Sequence, residues 1–465
     1  MIDRHDLVVV GGGPAGYAAA LYGSAAGLDV GLVEERLVGG TCLHVGCIPA
    51  KELLETASVL RTVRRAGEFG IDTTDQPVLD LGASQHRKQA VIDRLFQGLG
   101  ALLADRDVTV YDGTGRLGGD RTVEVTGGNG STVIAADHVV LATGSTPRTL
   151  AGFDVDDRLV VTSDEFLSAR ERPDRVAVIG GGAVGCEFAS MLVDFGSSVT
   201  LLEVLDGILP GCDPDVSSVV RRSFERRGID VHTGVEVEGH DPAGGTTTVR
   251  FSGQEVEVDL VVVSVGRRPR GESADSAGTG VKVDNRGYIV TDHRLRTGEP
   301  GVYAAGDVID TPQLAHVGFA EGMFVVQDLL GEEPTPIDSS TVPWCIYSHP
   351  EVAFAGLTED AARAAGYEVV TSKHRFVGNG RAAILGDTDG LVKVVAEADR
   401  DGRAGRILGV HMAGPWVTEQ IGQGYLAVNW EATVDEVASF VQPHPTLGEL
   451  FGEALLSLTG RSLHG

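Results

Sequence analysis

Residues 7–16 read LVVVGGGPAG, and residues 176–185 read VAVIGGGAVG. In each, an apolar run breaks on three glycines and gives way to a helix-forming stretch, residues 17–26 and 186–194. A second short apolar run follows each helix and ends on an acid, Glu34 in the first copy and Glu203 in the second. Both acids stand 23 positions after the first glycine, since 34 − 11 and 203 − 180 are equal. One Gly-x-Gly-x-x-Gly is a weak signal. Two copies, each between a strand pattern and a helix pattern and each followed by an acid at the same offset, predict two dinucleotide-binding β-α-β units.

Each position has a physical reason. Gly11 and Gly180 permit the tight turn out of the strand, and Gly13 and Gly182 let backbone amides approach a pyrophosphate. Gly16 and Gly185 let the helix lie close on the strand, and its free N–H groups and positive dipole end face the phosphates. Glu34 and Glu203 are placed to accept hydrogen bonds from adenosine ribose hydroxyls. Two dinucleotides on one chain imply electron transfer between them. A carboxylate at Glu203 repels a 2′-phosphate and no Lys or Arg follows before Arg221, which favours NAD over NADP.

The 465 residues are enough for about three domains. Asp plus Glu number 66 against 38 Lys plus Arg, a formal net charge of −28 that disfavours nucleic acid and anionic membrane as partners. Glycine, at 64 residues, is about twice its usual share, with no collagen period, so it must serve particular turns. Five cysteines make no secreted disulfide framework, the N-terminal apolar run is too short for a signal peptide, and no stretch is long enough to span a membrane. The expectation is a soluble cytoplasmic protein.

Between the repeats, residues 121–125 and 132–135 read as antiparallel strands around the turn GGNG, leading into the buried strand HVVLATGS. After the second repeat, residues 248–252 and 256–265 repeat that pattern and end in VGRRP. A short strand, GVYAAGDV, then delivers Asp307, and a helix follows over residues 316–330. The polar, turn-rich run GEEPTPIDSST marks a boundary, after which hairpin strands such as GLVKVVAEA and RILGVHMAG alternate with helices as a third, α+β unit. The class is therefore α/β: two doubly wound dinucleotide-binding domains plus a C-terminal α+β domain.

Directly after the first acid comes GGTCLHVGCIPAK, residues 39–51. Cys42 and Cys47 lie at the start of a predicted helix, where a distorted first turn can bring two sulfurs to bonding distance and the helix N-terminus favours thiolate. Beside a dinucleotide site such a pair reads as a reversible catalytic dithiol; the alternative is two ordinary buried thiols. Cys186, Cys212 and Cys345 have no such spacing and read as packing residues. Near the C-terminus, QPHPTLGE sets His444 between prolines with Glu449 five residues on, a candidate base.

The motifs GGGPAG, GGTCLHVGCIPAK, ATGSTP, GGGAVGCE, VGRRP, YAAGD, VPWCIYSHPEVAFAGLTE, NGRA and HPTLGE follow one another in that order. The chain thereby resembles, over its whole length, the flavin-dependent pyridine nucleotide–disulfide oxidoreductases, most closely the dihydrolipoamide-oxidising members of class I. The resemblance implies FAD on the first glycine turn with Glu34, Thr41, Gly115, Thr143, Gly144, Asp307 and Ala315. It implies Lys51 against the flavin paired with Glu187, and NAD on the second turn with Glu203, Val237 and Gly266. Cys47 would face the flavin and Cys42 would exchange with substrate. It implies a homodimer in which His444, oriented by Glu449 and preceding a cis proline, acts on the other subunit's disulfide, and no metal.

The implied division is an FAD domain over residues 1–148 and 271–341, an NAD domain over 149–270 and an interface domain over 342–465. The implied reaction is oxidation of protein-bound dihydrolipoamide with NAD, the partner being a lipoylated acyltransferase of a 2-oxoacid dehydrogenase complex or the lipoylated carrier of glycine cleavage. Alternatives are an NAD(P)H-dependent reductase of another small disulfide, or a flavoprotein scaffold subunit of a multienzyme complex. His44, Ala50 and Gln442 depart from the family's usual Asn, Ser and His and bear on substrate choice.

Overall fold

The computed structural model describes residues 3–73, 77–128, 130–273 and 278–464. The strand Asp3–Val10 pairs in parallel with Val30–Glu34 on one side and with the long strand Gly130–Leu141 on the other. Leu7, Val8 and Val9 are fully buried, as a β-branched run covered on both faces of a parallel sheet must be. Between the first two strands the helix Pro14–Ala25 starts on proline, whose missing N–H costs nothing at that position.

Gly130–Leu141 is one strand and not two. Its first half pairs antiparallel with Thr122–Gly127, so the predicted hairpin is present, and it then runs on to join the parallel part of the sheet. Val302–Ala304 pairs with the second half of that same strand. The first sheet of seven strands thus takes its last strand from far along the chain, after a second sheet has been completed. The helix Ala315–Leu329 then returns to lie on Pro14–Ala25, close enough that a Cβ on Gly322 would stand 2.3 Å from the Ala15 carbonyl oxygen.

The second sheet is the inserted unit. Its five strands are all parallel and run in the order Asp230–Thr233, Ser198–Glu203, Arg175–Ile179, Leu260–Val263, Val160–Thr162. A three-stranded antiparallel meander, Val237–Ala243, Thr246–Phe251 and Gln254–Val258, interrupts it where the repeated pattern predicts. The two passages between the sheets are stitched together: Ser145–Pro147 pairs antiparallel with Arg267–Pro269.

From Trp344 on, five strands form an antiparallel sheet, with Glu351–Gly356, Ala404–Gly414 and Leu391–Ala398 at its centre. Its face is closed by the helices Val417–Asn429, Val434–Ala438 and Glu449–Leu458 over a core containing Val410, Phe451 and Leu455. This unit grips the inserted sheet through a buried charge. Lys393, 3 % exposed, donates to Asp213, Asp215 and Glu359 at 2.8–2.9 Å. Among the described residues no helix is long and apolar enough to cross a membrane.

Candidate active site at the junction of the two glycine turns

The two glycine turns are near-copies in three dimensions. Gly11 and Gly180 both sit at φ 107°, a region closed to side chains, and a Cβ on either would strike a carbonyl oxygen at 2.2 or 2.5 Å. Gly16 and Gly185 admit no side chain, since a Cβ there would stand 1.8 and 1.9 Å from the carbonyl oxygens of Gly11 and Gly180. Gly13 and Gly182 differ: each is the N-cap of its helix, and a Cβ there would meet nothing within 4 Å. That open space in front of unpaired helix N–H groups fits the approach of a pyrophosphate.

The acids also match. The Gly12 amide donates to Glu34 Oε2 at 2.6 Å, and the Arg36 amide donates to Oε1 at 2.9 Å. The Gly181 amide donates to Glu203 Oε2 at 2.6 Å, and the Leu205 amide donates to Oε1 at 2.8 Å. Each carboxylate therefore holds its own glycine turn in shape and keeps lone pairs for a ribose hydroxyl. The sequence pattern predicts a ribose role alone; the hold on the turn depends on where the side chain folds back.

The cysteine motif is lashed to the first turn. The Gly39 amide donates to the Gly12 carbonyl at 2.8 Å, and Gly40, at φ 57°, lies so close to Gly13 that a Cβ would stand 2.7 Å from its Cα. The predicted single helix is in fact two, Gly40–His44 and Cys47–Arg64, broken at Val45 and Gly46. The break lets Cys42, in the middle of the short first piece, meet Cys47, which opens the second. His44 donates from Nε2 to the Val38 carbonyl at 2.9 Å, so this departure from the family pattern braces the loop between the acid and the thiols.

The two thiols are unequal. The Cys42 thiol donates to Cys47, and this hydrogen bond, outweighing burial and helped by the Lys51 ammonium, brings Cys47 down to about 7. Cys42 is pushed up by the same bond, by burial and by repulsion from Cys47. Lys51, one turn into the helix, donates to both oxygens of Glu187 at 2.9 Å. Burial works against the ammonium, but Glu187 outweighs it and the Lys51 pKa is raised. Glu187 is 4 % exposed and lies in the helix of the second glycine turn, so this pair spans the two dinucleotide units.

Three contributors escaped the sequence reading. Tyr17, directly after the first glycine turn, is pushed up to about 12 by burial and by the two thiols. Tyr347, from the C-terminal sheet, donates its backbone N–H to Glu187 Oε1 at 2.9 Å and sets its ring beneath Lys51, with the ammonium 4.9 Å from the centroid. Glu321, in the helix that covers the first turn, is 1 % exposed, accepts the Gly306 N–H at 2.6 Å, and is raised to about 7 by burial. Glu321 carries no motif signal, and although Tyr347 stands within a motif and Tyr17 directly after one, the motifs mark no role for them, because each acts through a position that only the folded chain brings near.

Asp307 accepts from the Ser145 hydroxyl at 2.5 Å, and Arg267 donates to that hydroxyl at 2.7 Å, so the stitched passage between the sheets anchors it. Thr143 donates its hydroxyl to the Arg270 carbonyl, and the Arg270 amide donates to the Gly144 carbonyl, in the same passage. Ala315 opens the helix behind Asp307. Gly115 lies within the first sheet, where a Cβ would stand 2.8 Å from Val10 Cγ1, next to the first turn. Val237 starts the meander, and Gly266, at φ 102°, accepts the Arg148 amide.

His444 precedes a cis proline, as the resemblance implies; His349–Pro350 is cis as well. Its Nδ1 and Glu449 Oε1 are 2.8 Å apart, and Glu449 also accepts the Thr446 amide at 2.7 Å. Burial opposes the Glu449 carboxylate, but these partners hold its pKa below the ordinary value. The imidazole is 76 % exposed, and no hydrogen bond or ion pair joins it to the thiols of its own chain. Gln442 packs against Gly452 at the foot of this loop. Among the described residues no group of three or more His, Cys, Asp or Glu could hold a metal ion.

Comparison with known proteins gives a consistent picture. The family pattern of the pyridine nucleotide-disulphide oxidoreductases matches residues 5–322, and that of the same family's dimerisation domain matches residues 342–455. A dihydrolipoyl dehydrogenase of Bacillus subtilis (strain 168) is 40 % identical over 479 residues, covering 100 % of both chains. The crystal structure of LpdA from Mycobacterium tuberculosis superposes with a TM-score of 0.90 at 26 % identity, over 98 % of this chain and 100 % of that one. The HOCl-induced flavoprotein disulfide reductase RclA from Escherichia coli gives 0.86 at 26 %, over 97 % and 99 %.

Proposed function

The chain belongs to the pyridine nucleotide-disulphide oxidoreductase family, and from that premise we propose that it oxidises protein-bound dihydrolipoamide to lipoamide with NAD as acceptor. The observation that carries the reading is the unequal dithiol, with Cys47 lowered to about 7, set beside a Lys51–Glu187 pair that spans the two glycine turns. We assign FAD to the first turn, with Glu34, Thr41, Gly115, Thr143, Gly144, Asp307 and Ala315, and NAD to the second, with Glu203, Val237 and Gly266. When bound, FAD supplies a two-electron relay between a thiolate and NAD.

The reaction starts from the oxidised Cys42–Cys47 pair. His444 of the partner subunit takes a proton from the first substrate thiol, and that thiolate attacks the Cys42 sulfur. The Cys42–Cys47 bond breaks and Cys47 leaves as thiolate, the form its environment favours. The second substrate thiol attacks the substrate sulfur held on Cys42, the bond from that sulfur to Cys42 breaks, and the second thiol's proton passes to the departing Cys42 sulfur while the first stays on His444. Lipoamide departs, and the chain keeps a Cys42 thiol and a Cys47 thiolate. Lys51 holds positive charge beside that thiolate, and Glu187 holds Lys51. Glu449 orients the imidazole and stabilises its charged form. The exposure of His444 supports a homodimer, the arrangement for which the family's dimerisation domain is named.

The domain limits follow this assignment: FAD over residues 1–148 and 271–341, NAD over 149–270, interface over 342–465. A lipoylated acyltransferase or the lipoylated carrier of glycine cleavage is the proposed partner, in the cytoplasm. The likeness to a disulfide reductase keeps one second reading, reduction of another small disulfide; Glu203, held by the Gly181 and Leu205 amides, argues against the NADPH such a reductase would draw on. Steady-state turnover with NAD and dihydrolipoamide, run beside NADPH and glutathione disulfide, tests the choice. Turnover of the second pair alone would overturn it.

A further inference from the structure

Lys51 and Glu187 come from the first and second units, but the contact that closes around them comes from the third. Tyr347 follows the strand Trp344–Ile346, at the edge of the C-terminal sheet, and reaches the pair in two ways. Its backbone N–H occupies a lone pair on Glu187 Oε1 at 2.9 Å. Its ring face lies under the Lys51 ammonium at 4.9 Å, within the range at which a desolvated cation is held by an aromatic quadrupole. The Lys51 side chain keeps 35 % exposure, and the Tyr347 ring covers one approach to its ammonium.

The thiol responds to the placement of this charge. Cys47 is stabilised as thiolate by the Cys42 thiol and then by Lys51, against burial and against Glu187. A hydrated, mobile ammonium would be screened from the sulfur and would leave burial and Glu187 less opposed. The titratable groups around the assembly are Cys42 and Cys47 from the thiol motif, Tyr17 after the first glycine turn, Glu187 from the second unit, and Cys345, Glu351, Glu419 and Tyr347 from the C-terminal unit; burial keeps the Tyr347 phenol protonated.

We propose that Tyr347 is a positioning residue that sets the thiolate character of Cys47 by fixing the Lys51 ammonium between its ring and Glu187. The C-terminal domain thereby tunes the dithiol of its own chain. The inference rests on the reading of Cys42 and Cys47 as the redox pair.

The test is the pH dependence of Cys47 alkylation by iodoacetamide in the reduced holoenzyme, with the modified residue identified by mass spectrometry. Wild type should titrate near the value the site sets, about 7. Tyr347→Phe keeps the ring and should leave the profile unchanged. Tyr347→Leu and Tyr347→Met keep the backbone N–H but lose the ring. Both should move the midpoint up by half a unit or more, about a twofold loss of rate at neutral pH. Two ringless variants are used so that one that fails to fold does not decide the matter.

A folded ringless variant with the wild-type profile overturns the proposal, as does a shift of equal size in Tyr347→Phe. A fall in melting temperature with an unmoved profile also overturns it, because it would leave Tyr347 a purely structural role. A wild-type enzyme whose Cys47 titrates at the ordinary thiol value overturns the underlying site reading instead, and the two failures are thus distinct.

Discussion

Replacing Cys42 by alanine should nearly abolish the low-pH reactivity of Cys47. The ordinary thiol value is 9.0 and Cys47 stands at about 7, a difference of about two units, or about 3 kcal/mol in favour of the thiolate. The largest contribution is the hydrogen bond from Cys42; burial, the next largest, opposes it and exceeds the help from Lys51. Without the Cys42 donor the balance reverses, and Cys47 should titrate at about 9 or above. At pH 7 the thiolate fraction then falls from about one half to about one hundredth, so alkylation should slow roughly fiftyfold.

The measurement is the iodoacetamide rate against pH on the reduced Cys42→Ala protein. Its background is low, because burial pushes Cys345 up to about 11, Cys212 up to about 12, and Cys186 well above the ordinary value. Lys51→Met in the Cys42-containing protein should raise the midpoint by less than Cys42→Ala does. A Cys42→Ala midpoint that stays near 7, with Lys51→Met producing the large shift, would refute the argument that the neighbouring thiol dominates.

Other consequences are as direct. His444→Ala and Cys47→Ser should each be inactive alone, yet random mixed dimers of the two should recover about a quarter of wild-type turnover, since half the dimers carry one complete site; no recovery would show that the base does not cross the interface. Gly182→Ala should fold normally and weaken NAD binding, whereas Gly185→Ala, with its Cβ 1.9 Å from the Gly180 carbonyl oxygen, should not yield folded protein; thermal melts and NAD titration check both. Lys393→Met leaves Asp213 buried and unpaired and should destabilise the fold by about 3–5 kcal/mol in denaturant titration. Lys393 holds Asp215 and Glu359 below their ordinary values against burial, so the wild-type contribution should be complete at neutral pH and be lost as pH falls below about 4. A wild-type stability curve flat across that range would refute the linkage.

The parts of the fold that were legible in the sequence are those in which backbone geometry dictates residue type. The glycine triplets demand glycine for steric reasons, and the apolar runs before them are what a buried parallel strand requires. The helix break between Cys42 and Cys47 was hidden, because nothing in the residues Val45 and Gly46 distinguishes a distorted first turn from two separate helices. Likewise the long strand Gly130–Leu141 looked like two, since its first half follows the two-residue period of a hairpin and its second half the unbroken apolar run of a parallel strand. Of the site, the residues within motifs were readable. Glu321, outside every motif, was not, and the role of Tyr347 was not although a motif contains it, because both act by reaching across from other elements.

The grip of Glu34 and Glu203 on their own glycine turns has a thermodynamic consequence. Both loops are held by hydrogen bonds within the chain, which lowers the loop entropy that cofactor association must overcome. Binding should therefore show a small heat-capacity change for its polar half and little dependence on loop rearrangement. The same economy makes each carboxylate serve two equilibria at once: its removal should loosen the empty protein and weaken the cofactor complex together, with neither effect separable from the other by substitution at that residue alone.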